Sequence, residues 1–387
     1  MNCIPLSKPY FNGDELNYLQ DVLKSQELVD GKYTKLAQEK LQSRLHSPKV
    51  LLTNSCTSAL EMAALLTEIK LGDEIIMPSF TFPSTANAFV LRGATPVFVD
   101  IRPDTLNLNE CAIEAAITSK TRAIVPMHYG GIACAMNNIM AIAKQKNLWV
   151  IEDAAQTIGA FYQQKPLGSF GALSALSFHA TKNIASGVGG CLCINDERLT
   201  ARAEILYQKG TNRNVYLRGE VDRYTWVDVG SSFIPSELTA ALLCSQLEKI
   251  NDITTSRLSI WKHYHHAFEE AENRSWVKRP LVFPDCQHNG HMYYLLMPNR
   301  AYRDRFIEHL NRQGIQASFH FIPLHSSPAG LQFGKISGNM RHTDAVSERI
   351  IRLPLWYGLE PYVEKIITIA LDTLERIMLS CIYTTSR

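Results

Sequence analysis

No run of about 18 uninterrupted apolar residues occurs in the chain, so no helix is expected to cross a membrane. No charge of one sign dominates: Lys and Arg number 39, Asp and Glu 37, a formal net charge of +2. Such a balance offers no electrostatic footprint for nucleic acid or an acidic membrane surface. No two cysteines have CxxC spacing. The nine, Cys3, Cys56, Cys111, Cys134, Cys191, Cys193, Cys244, Cys286 and Cys381, are scattered. That suits neither a disulfide framework nor a zinc ribbon and reads as small buried hydrophobes in a reducing compartment. The first residues, MNCIPLSKPYFNGDE, lack a basic stretch followed by an apolar one, so no secretory signal is read. There is no Gly/Ser linker, low-complexity tract or internal repeat. A cytoplasmic protein is expected.

What is present is ordinary globular material, with 46% hydrophobic and 20% charged residues over 387 positions. A chain of this kind buries a sizeable core without staples and, at about 150 residues per domain, forms two or three domains. Short apolar runs rich in β-branched residues sit at 50–53, 74–77, 96–99, 123–127, 149–151 and 172–178. Runs that are apolar throughout predict strands covered on both faces. Helical patterns fall between several of them, at 58–69, 84–91, 109–117 and 136–146, with Asn107 or Asn109 placed to cap the third. Two further helices are predicted within 13–49, around the polar turn 25–34. Strand–helix alternation implies parallel neighbours joined by helical crossovers, hence an α/β sheet. Beyond residue 178 the pattern changes, and 236–271 reads as largely helical. We expect a large domain over residues 1–251 and a smaller α+β domain over 252–387.

Ligands of such sheets bind outside the carboxyl ends of the strands. Three strand ends carry chemistry. The run VLLT leads into Asn54-Ser55-Cys56-Thr57-Ser58 and a helix. That is either a plain Ser/Thr cap or an anion site built from open backbone N–H groups and hydroxyls. LWVI ends in Glu152-Asp153, and Asp153 either faces a cationic ligand group or caps the next helix. ALSF runs into His179-Ala180-Thr181-Lys182-Asn183 and the glycine-rich SGVGG. A lone lysine is usually a solvated surface group, but Lys182 follows a buried strand and precedes a turn that lets backbone approach closely.

The combination decides. A phosphate, a protonated ring nitrogen and an aldehyde are the three features of pyridoxal 5′-phosphate, and they ask for an anion site, an acid and a lysine. Phe80 and Phe82, after another strand, offer an aromatic face. The histidines of HYHH at 263–266 lack accompanying ligands in a metal pattern, and no metal is expected.

At these residues the chain resembles the nucleotide-sugar aminotransferases of the DegT/DnrJ/EryC1/StrS family, within fold type I of the pyridoxal-phosphate enzymes. The resemblance runs from PYFNGDELNYLQDVLKSQELVDGKYT to RLPLWYGL. It includes NSCTSALEMAALL, GDEIIMPSFTFPSTANAFVLRGA, VIEDAAQ, SFHATKN, KGTNR, YTWVDVGSSF and FHFIPLH. It implies a mainly parallel sheet in the large domain, with a smaller α+β C-terminal domain. Residue by residue, Lys182 matches the lysine that bonds the cofactor's aldehyde. Asp153 matches the acid at the ring nitrogen, Gln156 the residue near the phenolic oxygen, and Phe82 the aromatic stacked on the ring. Thr57, Ser58 and Ser177 match the phosphate cradle. Ser232 stands where many relatives have Asn, at a position that reaches the partner subunit's cofactor phosphate. Val188 stands where many relatives have Glu, which bears on sugar preference.

The resemblance further implies a homodimer with shared sites and L-glutamate as donor, released as 2-oxoglutarate. The acceptor it implies is a dTDP-4-keto-6-deoxyhexose, aminated to dTDP-4-amino-4,6-dideoxygalactose for cell-surface polysaccharide (enterobacterial common antigen or O-antigen). A 3-keto-6-deoxy sugar nucleotide is the alternative acceptor. Lys209, Asn212 and Arg213 read either as contacts to the substrate's diphosphate or as a solvated loop. His320 and His325 read either as neighbours of the sugar nucleotide or as core and turn histidines. Three rivals fare worse. A sugar deoxygenase on this scaffold replaces the lysine by His. In a non-enzymatic cofactor-binding regulator the intact set of Lys182, Asp153 and Gln156 would be unexpected. A nicotinamide dehydrogenase would need a glycine fingerprint where NSCTS stands.

Overall fold

The computed structural model describes residues 3–382. Seven strands, β1 (Lys49–Thr53), β2 (Glu74–Pro78), β3 (Thr95–Val99), β4 (Thr121–Ile124), β5 (Trp149–Asp153), β6 (Leu173–Ser177) and β7 (Gly190–Ile194), form the central sheet in the order β1-β7-β6-β5-β4-β2-β3. The two-residue strand Lys335–Ile336 pairs in parallel with β3 at the edge. The pairs from β3 through β2, β4 and β5 to β6 are parallel. Only β7 runs the other way, antiparallel to both β1 and β6.

The six apolar runs read from the sequence are all strands; that reading missed β7 and the two-residue edge strand Lys335–Ile336. The five residues of β7, GCLCI, carry no β-branched run, yet all are buried. Gly190 opens the strand because a Cβ there would lie 2.4 Å from the backbone nitrogen of Cys56. That close approach packs β7 against the start of the helix Cys56–Leu66.

The crossover helices are Cys56–Leu66, Pro83–Val90 and Met136–Lys146, near their predicted spans. Two helices, Glu15–Ser25 and Lys32–Leu45, flank the N-terminal turn. The segment predicted at 109–117 is shorter, a 3₁₀ turn followed by the single-turn helix Ile113–Ala116. Asn109 caps it by accepting from Cys111 N. Asn107 is buried instead, accepting from Tyr129 N and donating to the carbonyls of Ile132 and Ala133. The stretch 236–271 divides into Glu237–Glu248, Ile250–Ala267 and Glu269–Asn273.

A second core gathers around β8 (Tyr293–Leu296) and β9 (Ile350–Leu353), an antiparallel pair covered by the helices Arg300–Arg312 and Glu360–Ile382. Trp261, Tyr264, Phe268, Phe306 and Leu374 fill it, and Ile4 joins it through a bridge to Ile315. Among the described residues no helix is long and apolar enough to cross a membrane.

Candidate active site

A cavity of about 460 Å³ opens at the carboxyl ends of β5 and β6, between the central sheet and β9. Asp153, the last residue of β5, is 4% exposed. Its Oδ2 accepts from Thr85 Oγ1 at 2.6 Å and its Oδ1 from Ala155 N at 3.1 Å. No helix follows the strand here, so the acid caps a turn, and it also lines the cavity. Thr81 Oγ1, 2.7 Å from Thr85 Oγ1, continues the chain of hydroxyls.

Lys182 lies on the loop that joins β6 to β7. Phe178 N bonds Gly189 O, Ala180 N bonds Gly187 O, and Lys182 N bonds His179 O, so the loop closes on itself and presents the lysine to the cavity. Burial pushes the amine below the usual lysine range, with the positive charge of Arg352 acting the same way and Cys56 and Asp153 opposing. Less of the amine is protonated at a given pH as a result, which suits a nucleophile and a base.

Ser55 caps the helix Cys56–Leu66 by accepting from Ser58 N at 3.1 Å. Thr57 faces the cavity and shares a 2.7 Å hydrogen bond with Ser84 Oγ, and Ser177 joins them from the end of β6. A helix start with hydroxyls around it is an anion site. Ser58 is not in the cavity wall: its hydroxyl donates to Asn54 Oδ1 at 2.6 Å. Gln156 lines the cavity, and because its Oε1 accepts from Gly130 N at 2.7 Å, its amide NH₂ is the donor it has to offer. Phe82 is 58% exposed and in the cavity wall, so a ring face is available for stacking. Phe80, expected beside it, is instead buried against Tyr129 and Phe321.

His320 lines the cavity, with Nδ1 2.8 Å from Tyr129 Oη. His325 does not. Its Nδ1 is 2.7 Å from Ser79 Oγ and its Nε2 is 3.2 Å from Asp344 Oδ1, so both ring nitrogens are engaged in holding the chain after β2. Of the two readings of His325, the structure places it as a turn histidine outside the cavity wall. Lys209, Asn212, Arg213 and Ser232 lie on stretches joined by the bridge between Gln208 and Ser232 and by Asn212 Oδ1 accepting from Thr225 N, and Ser232 O accepts from Asn54 Nδ2, next to Ser55 of the cavity wall. None of the four lines this chain's cavity.

The sequence reading missed Arg257, His291 and Arg352. Arg257 donates to the carbonyls of Gly290 and His291, and His291 Nδ1 is 2.9 Å from Asn183 Oδ1. These residues lie more than 70 positions beyond Lys182; Arg257 sat in the stretch read only as helical, 236–271, and Arg352 in RLPLWYGL.

Among the described residues no cluster of His, Cys, Asp and Glu could hold a metal ion. His263 and His266 pair with Glu364 and Glu269.

Residues 9–370 match the DegT/DnrJ/EryC1/StrS aminotransferase family. The chain belongs to that family. It is 34% identical over 360-odd positions to SpsC, a spore coat polysaccharide biosynthesis protein of Bacillus subtilis, covering 91% of this chain and 92% of SpsC. Its fold matches that of Helicobacter pylori PseC, an aminotransferase involved in pseudoaminic acid biosynthesis. The TM-score is 0.88 at 27% identity, over 97% of this chain and 100% of PseC. It also matches Spr1654, a candidate sugar aminotransferase of Streptococcus pneumoniae in its PMP form. There the TM-score is 0.90 at 26% identity, again over 97% of this chain and all of the other. The protein is thus a pyridoxal-phosphate-dependent aminotransferase of the sugar aminotransferase kind, with the fold that family shares. The donor set fits the cofactor. An anion site, a buried carboxylate, an amine, an exposed ring face and an amide donor surround one cavity large enough for a cofactor and a substrate.

Proposed function

We propose that the enzyme moves the amino group of L-glutamate to a dTDP-4-keto-6-deoxyhexose. The products are 2-oxoglutarate and dTDP-4-amino-4,6-dideoxygalactose, the latter for enterobacterial common antigen or O-antigen in the cytoplasm. The observation that carries the chemistry is the convergence of Lys182, Asp153 and the Cys56 helix start on one cavity. The stretches FHFIPLH, KGTNR and RLPLWYGL support the sugar nucleotide, as does the polysaccharide role in the name of SpsC.

In this reading Lys182 holds the cofactor, Asp153 faces its ring nitrogen, and Thr57 and Ser177 hold its phosphate. Gln156 donates to its phenolic oxygen and Phe82 lies on its ring. When bound, pyridoxal phosphate supplies an aldehyde that carries the amino group between substrates and a ring that takes up the electrons of a broken C–H bond. Asp153, held by Thr85 and Ala155 N, places negative charge where the ring nitrogen carries its proton. Freed when the donor's amine displaces it, Lys182 Nζ would act as the base for the proton on the donor's α-carbon and, in the opposite direction, for the sugar carbon. Val188 lines the cavity, and its standing where the family resemblance has Glu bears on the choice of sugar.

Ser232 and the KGTNR loop are assigned to a second subunit's site in a homodimer. Trp226, which is 77% exposed, and its neighbours Tyr224 and Val227 leave an apolar surface beside them for a partner to cover. The division is put near residue 252, with exchanges both ways: Ile4 packs in the smaller core, while Lys335–Ile336, Leu324 and Met340 join the larger one.

The test is incubation with L-glutamate and a panel of 3-keto and 4-keto dTDP-sugars, with products identified by mass and NMR. Amination of the 4-keto substrate to the galactose configuration is expected. Conversion of the 3-keto substrate alone would transfer the reading to a 3-aminotransferase.

A further inference from the structure

His291 stands two positions before β8 and lines the cavity. Its neighbours fix which hydrogen-bonding role it can play there. Its Nδ1 is 2.9 Å from Oδ1 of Asn183, the residue that follows Lys182 in the chain. Asn183 is buried, and its Nδ2 donates to Asn289 O at 2.9 Å. That donation identifies the amide nitrogen, so Oδ1 can only accept and Nδ1 of His291 must carry the hydrogen. Burial holds the imidazole well below its usual range, and the charges of Lys182 and Arg257 push it further down. The ring therefore has one N–H and not two, and Nε2 is left as a lone pair. The ring makes no other hydrogen bond among the described residues, and the residue is partly exposed where it meets the cavity.

The segment that carries this acceptor is tied on both sides. Asn289 Nδ2 donates to the carbonyls of Gln156 and Ile158, just beyond β5. Arg257, on the helix Ile250–Ala267, donates through Nε to Gly290 O and through Nη2 to His291 O. An acceptor held this way meets a ligand without first being ordered. Within the proposed function the one carboxylate of the wall, Asp153, is committed to the ring nitrogen, and Lys182, Arg257 and Arg352 can only donate.

We infer that His291 Nε2 accepts a hydrogen bond from the hydroxyl on the sugar carbon beside the one that is aminated, and so determines which keto sugars the enzyme converts. The inference rests on the proposed sugar acceptor. A lone pair asks for a donor, and neither a carboxylate nor a diphosphate has one to give. Apart from its reacting amine, L-glutamate offers only carboxylates, so His291 has no partner in that substrate. The imide N–H of thymine lies at the far end of the nucleotide. The imidazole is bonded to the residue next to Lys182, where the sugar arrives and the base does not. In a 4-keto-6-deoxyhexose, carbon 5 bears a methyl group in place of a hydroxyl, which leaves the 3-hydroxyl.

The test follows the acceptor half-reaction of enzyme already carrying the donor's amino group, in wild type, His291→Asn and His291→Gln. It compares a dTDP-4-keto-6-deoxyhexose with its 3-deoxy analogue. Asn keeps an amide N–H where Nδ1 stood and puts nothing where Nε2 stood; Gln does the reverse. Wild type is expected to lose roughly 10-fold or more in kcat/KM on the 3-deoxy sugar. His291→Asn should lose a similar factor on the hydroxylated sugar and little more on the analogue, so that the two changes do not add. His291→Gln recovers part of that loss. The loss with L-glutamate in the donor half-reaction should be several-fold smaller. A wild type that treats the two sugars alike overturns the inference without recourse to any variant. So does a His291→Asn that falls by the same factor on both sugars, or that slows the glutamate half-reaction as much as the sugar one. If wild type converts a 3-keto sugar alone, the proposed function fails, and the same comparison with the 2-deoxy and 4-deoxy analogues of that sugar decides the inference separately.

Discussion

Thr85 Oγ1 donates to Asp153 Oδ2 across 2.6 Å, tying the acid at the end of β5 to the helix Pro83–Val90 that follows β2. The hydroxyl keeps one carboxylate oxygen in place while the other accepts from Ala155 N. A hydrogen bond to a charged group is worth about 1.5–3 kcal/mol. Thr85→Val is therefore expected to slow the donor half-reaction by roughly 10- to 150-fold with the fold intact. Stopped-flow absorbance with L-glutamate measures this, and a rate within two-fold of wild type would show that Asp153 holds its position unaided.

Removing the reacting groups should have larger effects. Lys182→Ala is expected to fold, to bind pyridoxal phosphate without a covalent bond, and to lose turnover. Borohydride treatment followed by peptide mass analysis should add the cofactor's mass at residue 182 in wild type and nowhere in the variant. Asp153→Asn is expected to keep the covalent bond and lose orders of magnitude in rate. Either variant turning over near the wild-type rate would contradict the roles proposed for these side chains.

The Lys182 amine sits below the ordinary lysine range because it is buried, and the charge of Arg352 adds to the effect. Lowering a lysine's pKa leaves more free amine at lower pH, so cofactor-free protein should react with trinitrobenzenesulfonate at Lys182 with a midpoint below that of an exposed lysine. Arg352→Gln should move the midpoint up by removing a like charge, and Asp153→Asn should move it down by removing an opposite one. A midpoint indistinguishable from that of surface lysines, read by peptide mass across a pH series, would refute the environment described for the amine.

Gly190 is the contact between β7 and the first crossover helix. Gly190→Ala places a Cβ 2.4 Å from Cys56 N and 2.7 Å from Leu176 O. Backbone cannot yield as a flexible side chain does, and overpacking of this kind costs about 1–3 kcal/mol. A lowered Tm is expected, together with weaker pyridoxal phosphate binding, because the displaced helix start carries Thr57. Calorimetric unfolding and cofactor titration would report both. An unaltered Tm would mean that the sheet absorbs the methyl group elsewhere.

Lys182, Asp153 and the Ser55–Thr57 turn were legible in the sequence because each stands directly after a run of apolar residues, and a buried strand announces its own end. β7 was not, since GCLCI is short and has little β-branching. Its place in the sheet comes from the backbone's ability to approach Cys56 at a glycine. The one-turn helix at Ile113–Ala116 was overdrawn, as an apolar periodicity does not reveal how soon a chain leaves its helix.

His320 and His325 show the limit most clearly. They stand five positions apart in FHFIPLH and look alike in one dimension, yet one ring enters the cavity beside Tyr129 and the other is held by Ser79 and Asp344.

The sequence by itself determined the alternation of elements and, through strand ends, the places of the lysine, the acid and the hydroxyl-bearing helix start, because local pattern and short-range chemistry are written consecutively along the chain. Only the tertiary structure decided that Arg257, His291 and Arg352 complete the same cavity. Their placement depends on how a second core packs against the sheet, and the contacts that leave one ring nitrogen of His291 to the cavity exist only after the chain has folded.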